Sequence, residues 1–170
     1  MKKRFIAKNF AAVDFEMANM HRASICSIGV VVVRDWHVTD RLYRLVRPVP
    51  GHYSAWATRV HGLGDNDTGV ARDFPLVWEE IRDVVHDLPM VAHNSAFEQD
   101  CLRSVHAFYG LVYHGHEFHC TYRTAAGRVP WLRNHRLHTV CAYFGHVSRF
   151  RHESLADAEG CAFLARLFFS

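Results

Sequence analysis

Residues 25–34, Ile-Cys-Ser-Ile-Gly-Val-Val-Val-Val-Arg, narrow what this chain can become more than any other stretch. A long β-branched apolar run with a glycine inside it reads as a buried strand, because such side chains pack well on a pleated surface and poorly on a helix. Phe10 to Met17 reads as a first strand ahead of it, after which Asn19 to Ser24 makes a polar turn. Asp35-Trp36-His37 turns the chain again, into Arg41 to Val46, where Tyr43 and Leu45 alternate with polar neighbours. Three strands joined by short turns form an antiparallel meander. Arg47-Pro48-Val49-Pro50-Gly51 ends it.

The remainder alternates helix and strand. Gly51 to Phe74 is loop-rich, punctuated by Trp56, His61-Gly62 and Gly64-Asp65-Asn66-Asp67. Leu76 to Leu88 carries Val77, Ile81, Val84, Val85 and Leu88 at the helical period and is stopped by Pro89. Met90-Val91-Ala92 is a short strand that leads into His93-Asn94-Ser95, and Phe97, Cys101, Val105 and Phe108 mark the next helix, closed by Gly110. Glu117 to Thr121 is a further short strand, followed by an irregular segment with Gly127 and Pro130. Asn134 caps a helix bearing Leu137, Val140, Cys141 and Phe144, closed by Gly145. The last helix begins near Ser154, and its face of Ala158, Cys161, Ala162, Ala165 and Phe169 calls for close packing. The pattern is an α/β layered domain, a mixed sheet with helices around it.

Composition limits the function classes. At 170 residues the chain buries roughly 70% of its surface as one domain, 1–170, and no charge block, repeat or low-complexity tract divides it. The net charge of +3 is compatible with a polyanionic partner without establishing one. The basic Met1-Lys2-Lys3-Arg4 start lacks a signal-peptide core, and no apolar window is long enough to span a bilayer. Cys26, Cys101, Cys120, Cys141 and Cys161 form no C-x-x-C pair, and free thiols in a reducing compartment account for them. The expectation is a soluble, cytoplasmic protein with no membrane partner.

The chemistry lies in scattered acids. In a strand, residues two apart share a face, so Asp14 and Glu16 stand side by side. Glu98 and Asp157 follow at the starts of two helices, beside His93-Asn94 and His152 respectively. A solvated strand face explains the first pair alone. Ser95-x-x-Glu98 and Ser154-x-x-Asp157 also fit the capping box, in which the acid only satisfies a helix terminus. Together, four acids at element ends suit hard divalent cations such as Mg²⁺ and Mn²⁺, two of which stabilise both oxygens in phosphodiester cleavage.

Three ordered motifs carry a resemblance over most of the chain: Ala12-Val13-Asp14-Phe15-Glu16, Val91-Ala92-His93-Asn94-Ser95-Ala96-Phe97-Glu98 and His152-Glu153-Ser154-Leu155-Ala156-Asp157-Ala158. The sequence resembles the DEDDh group of 3'-5' exonucleases, DnaQ-like proteins that include the proofreading epsilon subunit of bacterial DNA polymerase III. Val60-His61-Gly62-Leu63 and Asn134-His135-Arg136-Leu137 resemble further recurring stretches of the group. The resemblance implies a ribonuclease H-like fold, with three antiparallel strands and then parallel strands. It implies two divalent cations, Mg²⁺ or Mn²⁺, held by Asp14, Glu16, Glu98 and Asp157, and His152 as the general base. Phe15, Met17, Ala18, His61 and Asn94 would contact the 3'-terminal nucleotide, and the loop around Trp56 could stack a base, which contributes ~1 to 3 kcal/mol. Implied partners are 3' ends of single-stranded DNA or RNA and a DNA polymerase.

One departure matters. The family has Asp directly after the Phe of the second motif, whereas Phe97 is followed by Glu98, with Asp100 two positions on. The extra methylene shifts a ligand by about 1 Å, enough to slow catalysis. A helix starting near Ala96 turns these two acids about 200° apart, so that only one can face Asp14. Cys101 and Val105 continue the buried face from Phe97, which leaves Asp100 solvated. A module that grips 3' ends without cleaving them is the alternative.

Overall fold

The computed structural model describes residues 8–147 and 152–170, so the Met1 to Arg4 reading lies outside the described residues. Its centre is a five-stranded sheet in the order β3-β2-β1-β4-β5. Strands β1 (Phe10–Met17), β2 (Ile25–Arg34) and β3 (His37–Leu45) are antiparallel, and β4 (Met90–Ala92) and β5 (Phe118–Cys120) run parallel to β1. This is the expected mixed, ribonuclease H-like sheet. Strand β3 starts at His37 instead of Arg41 because the turn has two residues. Arg34 pairs with His37 across Asp35 and Trp36, whose φ values of 50° and 64° give the primed turn that suits strand twist.

Side-chain alternation along β1 sorts the core into two layers. Ala11, Val13 and Phe15 join Ile28, Val30 and Val32 of β2 beneath α3 (Phe74–Val85) and α4 (Ser95–Phe108). Phe10 and Ala12 join Val31, Val33 and Val91 beneath α7 (Ser154–Phe169). Strand β2 is thus covered on both faces, which is why its valines do not alternate with polar residues. A third cluster, with Val140, Leu164 and Phe168, packs α7 against α5 (Thr121–Arg128) and α6 (Leu137–Tyr143).

Several elements differ from the sequence reading. The stretch read as loop contains α1 (Ala55–His61) and α2 (Asp65–Thr68). Ser54 caps α1 by accepting from the Ala57 N–H, and Gly62 ends it at φ 80°. Each of these helices buries one residue, Ala57 and Thr68, so neither shows a hydrophobic stripe. Helix α3 begins two residues early, with Pro75 in its first turn, and stops at Val85 before His86. Helix α5 replaces the irregular segment and buries only Thr121 and Ala125. Arg136, not Asn134, is the N-cap of α6, because the Asn134 Oδ1 accepts from the Arg136 N–H at 3.1 Å in a turn ahead of the helix. The two capping boxes do not form: Asn94 and Glu153 are the N-caps of α4 and α7, which puts Glu98 and Asp157 one place too far in.

All five cysteines are free, as expected. Among the described residues, no helix is long and apolar enough to cross a membrane.

Candidate active site

Phe10, Ala12, Asp14 and Glu16 lie along one face of β1. The first two are buried under α7, and the two acids extend past them at the strand's C-terminal end. The register sets Gly29 opposite Asp14 and Ser27 opposite Glu16. At both places α7 comes down onto the sheet. A Cβ at Gly29 would lie 2.1 Å from the Ser154 carbonyl, and the Ser27 and Ser154 hydroxyls share a hydrogen bond of 3.1 Å. The first turn of α7 is therefore pressed onto the strand next to the acids, and Asp157 comes with it. Glu98 arrives from the other neighbour: β4 pairs with β1 at Ala12 and Val91, and Asn94 at φ 83° turns the chain directly into α4.

These residues line one cleft of about 380 Å³ that includes Asp14, Glu16, Glu98, His152 and Asp157. Atoms of Glu16, His152 and Asp157 able to ligate a metal all lie within 4.8 Å of one another. Burial, then the charges of Glu98, Asp157 and Glu16, hold Asp14 well above the usual carboxylate range. Burial and Asp157 push Glu16 up to about 8, and burial does the same for Glu98, also to about 8. Asp157 is raised by burial, although the His152 charge and backbone N–H work against the rise. Glu98 is 3% exposed, and its buried Oε2 has no partner among the described residues. Asp100, by contrast, is exposed and pairs with Arg103 at 3.7 Å. His152 holds φ at 56°, a conformation rare outside glycine.

Opposed carboxylates with a buried oxygen lacking a donor are a poor arrangement for folding and a good one for binding cations. The donor set is all oxygen and imidazole, which suits Mg²⁺ or Mn²⁺.

The far wall of the cleft is α1, tied to the end of β1. His61 donates from Nε2 to the Met17 carbonyl at 3.1 Å, and its Nδ1 accepts from the Leu63 N–H at 3.0 Å. Both ring nitrogens are thus committed, and the ring serves as wall. Asn19 donates to the Pro50 and His52 carbonyls, and the Ser54 N–H donates to the Ala18 carbonyl. Met17 and the exposed Trp56 line the cleft, and Phe15 borders it while lying in the core at 4% exposure. Ala18 is fully buried and Asn94 faces solvent at the head of α4; neither lines the cleft.

Sequence reasoning missed Arg22, whose guanidinium lies 4.4 Å over the Phe97 ring at the rim. It also missed a second hollow of about 350 Å³ that shares only His152 and Asp157 with the cleft and is lined further by His93, Tyr122, Arg136, Leu137 and His138. The one available signal was the Asn134 to Leu137 stretch.

Comparison with known proteins gives a consistent result. A family model described as Exonuclease, RNase_T, matches residues 11–164. The PolC-type DNA polymerase III of Listeria innocua is 25% identical over 143 residues, 84% of this chain and 10% of that protein. The PolC-type enzyme of Oceanobacillus iheyensis is 26% identical over 163 residues, 91% of this chain and 11% of that one. The chain spans about a tenth of the length of the curated relatives it matches. Among solved structures, the nuclease domain of 3'hExo, a DEDDh family member bound to rAMP, superposes with a TM-score of 0.78 at 16% identity, covering 98% of this chain and 93% of that one. Exonuclease X in complex with 5' overhanging duplex DNA gives 0.69 at 16% identity, covering 93% and 90%. These two share the fold.

Proposed function

Because the chain belongs to the RNase_T family of exonucleases, on a DnaQ-like, ribonuclease H-like fold, we propose that it hydrolyses phosphodiester bonds from the 3' end of single-stranded DNA, or of RNA. The products are nucleoside 5'-monophosphates. The observation that carries this reading is the meeting of Asp14, Glu16, Glu98, Asp157 and His152 in one cleft, where burial and mutual repulsion hold the pKa of the carboxyls up.

Asp14, Glu16, Glu98 and Asp157 would hold two divalent cations. When bound, these supply charge stabilisation to the attacking and leaving oxygens. His152, on the exposed side of the acids, takes the proton from the attacking water, a role suited to an imidazole. Met17, Trp56 and the face of His61 enclose the terminal nucleoside and hold it against the acids. Phe15 supports that wall from the core. Kinship with PolC-type polymerases supports action beside a DNA polymerase, as a proofreading partner.

The test is a time course on 5'-labelled single-stranded DNA and RNA with Mg²⁺, Mn²⁺ or EDTA. Stepwise shortening from the 3' end that stops in EDTA is expected. Tight binding of 3' ends with no shortening in either metal would replace the enzyme with the non-cleaving module.

A further inference from the structure

At the other end of the sheet from the acids, a groove of about 830 Å³ lies between α3 and residues 111–117. Four of the rings that line it form a closed circuit. Trp78 meets His106 at 5.7 Å, His106 meets Tyr113 at 5.1 Å, Tyr113 meets His116 at 5.9 Å, and His116 returns to Trp78 at 5.8 Å. Neighbouring planes stand at 86°, 57°, 55° and 78° to one another, as the walls of a box do. A square of that side has its centre ~4 Å from each ring, well within the ~6 Å over which an aromatic face attracts a cation. We propose that this box is a binding site for a quaternary ammonium group, separate from the nuclease chemistry.

The walls are held from outside. Phe74 stacks on Trp78 at 5.6 Å and meets His106 edge-on at 5.2 Å, and His106 donates from Nδ1 to the Leu102 carbonyl at 2.7 Å. Gly115, at φ 79°, turns the chain between the other two walls, so that Tyr113 reaches His106 on α4 and His116 reaches Trp78 on α3. Burial holds both imidazoles below their ordinary 6.5, and at neutral pH the box carries no positive charge of its own. Four exposed carboxylates line the groove against one arginine, Arg82, in a chain whose formal net charge is +3. Of these acids, Asp87 acts on His116 and makes no ion pair among the described residues. The same acids repel phosphate, which disfavours a nucleic-acid strand as the occupant. A primary ammonium brings three N–H donors for which ring faces are poor acceptors, whereas a quaternary one has none to satisfy. Leu88 and Leu111 give its methyl groups an apolar edge.

The experiment titrates the whole chain with choline and with its uncharged isostere, in which carbon replaces nitrogen, and follows the ligand methyl protons by NMR. Choline binds about tenfold more tightly than the isostere, and its methyl signal moves upfield in the ring currents. Tyr113→Ala lowers choline affinity about tenfold, Tyr113→Phe restores it because the ring face remains, and Asp87→Asn lowers it about twofold. Equal binding of choline and isostere, binding of neither, or unchanged choline affinity in Tyr113→Ala overturns the site. Circular dichroism checks each variant, and should Tyr113→Ala fail to fold, His116→Ala takes its place while the choline-to-isostere ratio of the wild type stands as the decisive measurement. A second arm replaces choline with a trimethyllysine amide. Tighter binding than choline identifies the source as a modified protein side chain and weaker binding identifies it as a free small cation; both uphold the site.

Discussion

The acidic cleft and the broad groove at the other end of the sheet make an instructive pair. The groove is larger, about 830 Å³ against about 380 Å³, and lies where β4 and β5 begin, between α3, Pro89 and residues 111–117. It holds as many acids as the cleft: Glu79, Asp83, Asp87 and Glu117. All four are exposed, where water screens them. Its floor is filled by rings, with His106 packed against Phe74, Trp78 and Tyr113 and donating from Nδ1 to the Leu102 carbonyl at 2.7 Å. In the cleft the same kind of side chain is pushed together out of water, and burial and mutual repulsion raise the pKa of each acid. Burial of mutually repelling acids, rather than volume, separates the acidic cleft from the groove. The cleft also lies where α/β sheets bind ligands, beyond a strand's C-terminal end.

Substitution tests this contrast most sharply at Asp14. Asp14→Ala should abolish cleavage and raise the melting temperature of the metal-free protein, because one member of a repelling cluster is gone. Asp83→Ala in the groove should leave turnover near wild type. Undiminished activity of Asp14→Ala, or of the wild type in EDTA, would refute the cation-dependent mechanism.

His152→Ala comes next, with turnover lowered by about 10²-fold or more and divalent-cation affinity little changed. The acid limb of the rate profile should vanish with the imidazole. Calorimetric titration with Mn²⁺ separates the roles: affinity lost in step with rate would make His152 a ligand.

The neighbouring acids of α4 give a smaller effect and repeat the comparison within one helix. Glu98→Gln should cost more than about tenfold, whereas Asp100→Asn, on the exposed side, should cost little. Glu98→Asp, which restores the shorter acid, should keep or raise the rate. If Asp100→Asn is the damaging change, the second motif is misplaced.

The smallest effect is on stability, and its sign differs between the two regions. Glu16 and Glu98 titrate near 8 in the metal-free fold, against an ordinary 4.5. Their folded pKa is raised, so the stability they contribute is complete below about pH 4.5 and is lost as pH rises through about 8. In the groove, burial lowers His106 and His116 from 6.5, and His93 beside the site falls to about 4. Those imidazoles contribute stability above pH 6.5 that is lost on acidification. Melting curves in EDTA should therefore fall on the alkaline side as well as the acid side, and Mg²⁺ should abolish only the alkaline fall. An alkaline fall that persists in Mg²⁺ would mean that the carboxylates are not where the cations bind.

The sequence displayed its strands better than its small helices, for a physical reason. Strand β2 declares itself because both faces are covered, and β1 because its face changes from Phe10 and Ala12 to Asp14 and Glu16 within one period. Helices α1, α2 and α5 bury one or two residues each, and no periodic signal can arise from so little. The acids that meet in the cleft were legible because they recur at element ends in ordered motifs. The second hollow was not, since Tyr122 and Arg136 come to line it only when α5 and α6 bring them beside His152. Neither was the missing capping role of Glu98, which depended on a one-residue difference in where α4 begins.

The absent side chain at Gly29 makes assembly of the cleft a matter of long-range folding. Asp14 and Glu16 stand on β1, far along the chain from Asp157, and the three meet only when α7 lies flat on the glycine. Until that helix docks, the chain has strands, a core beneath α3 and α4, and an incomplete set of acids. A single methyl group at position 29 would therefore take the cluster apart without touching any of its members.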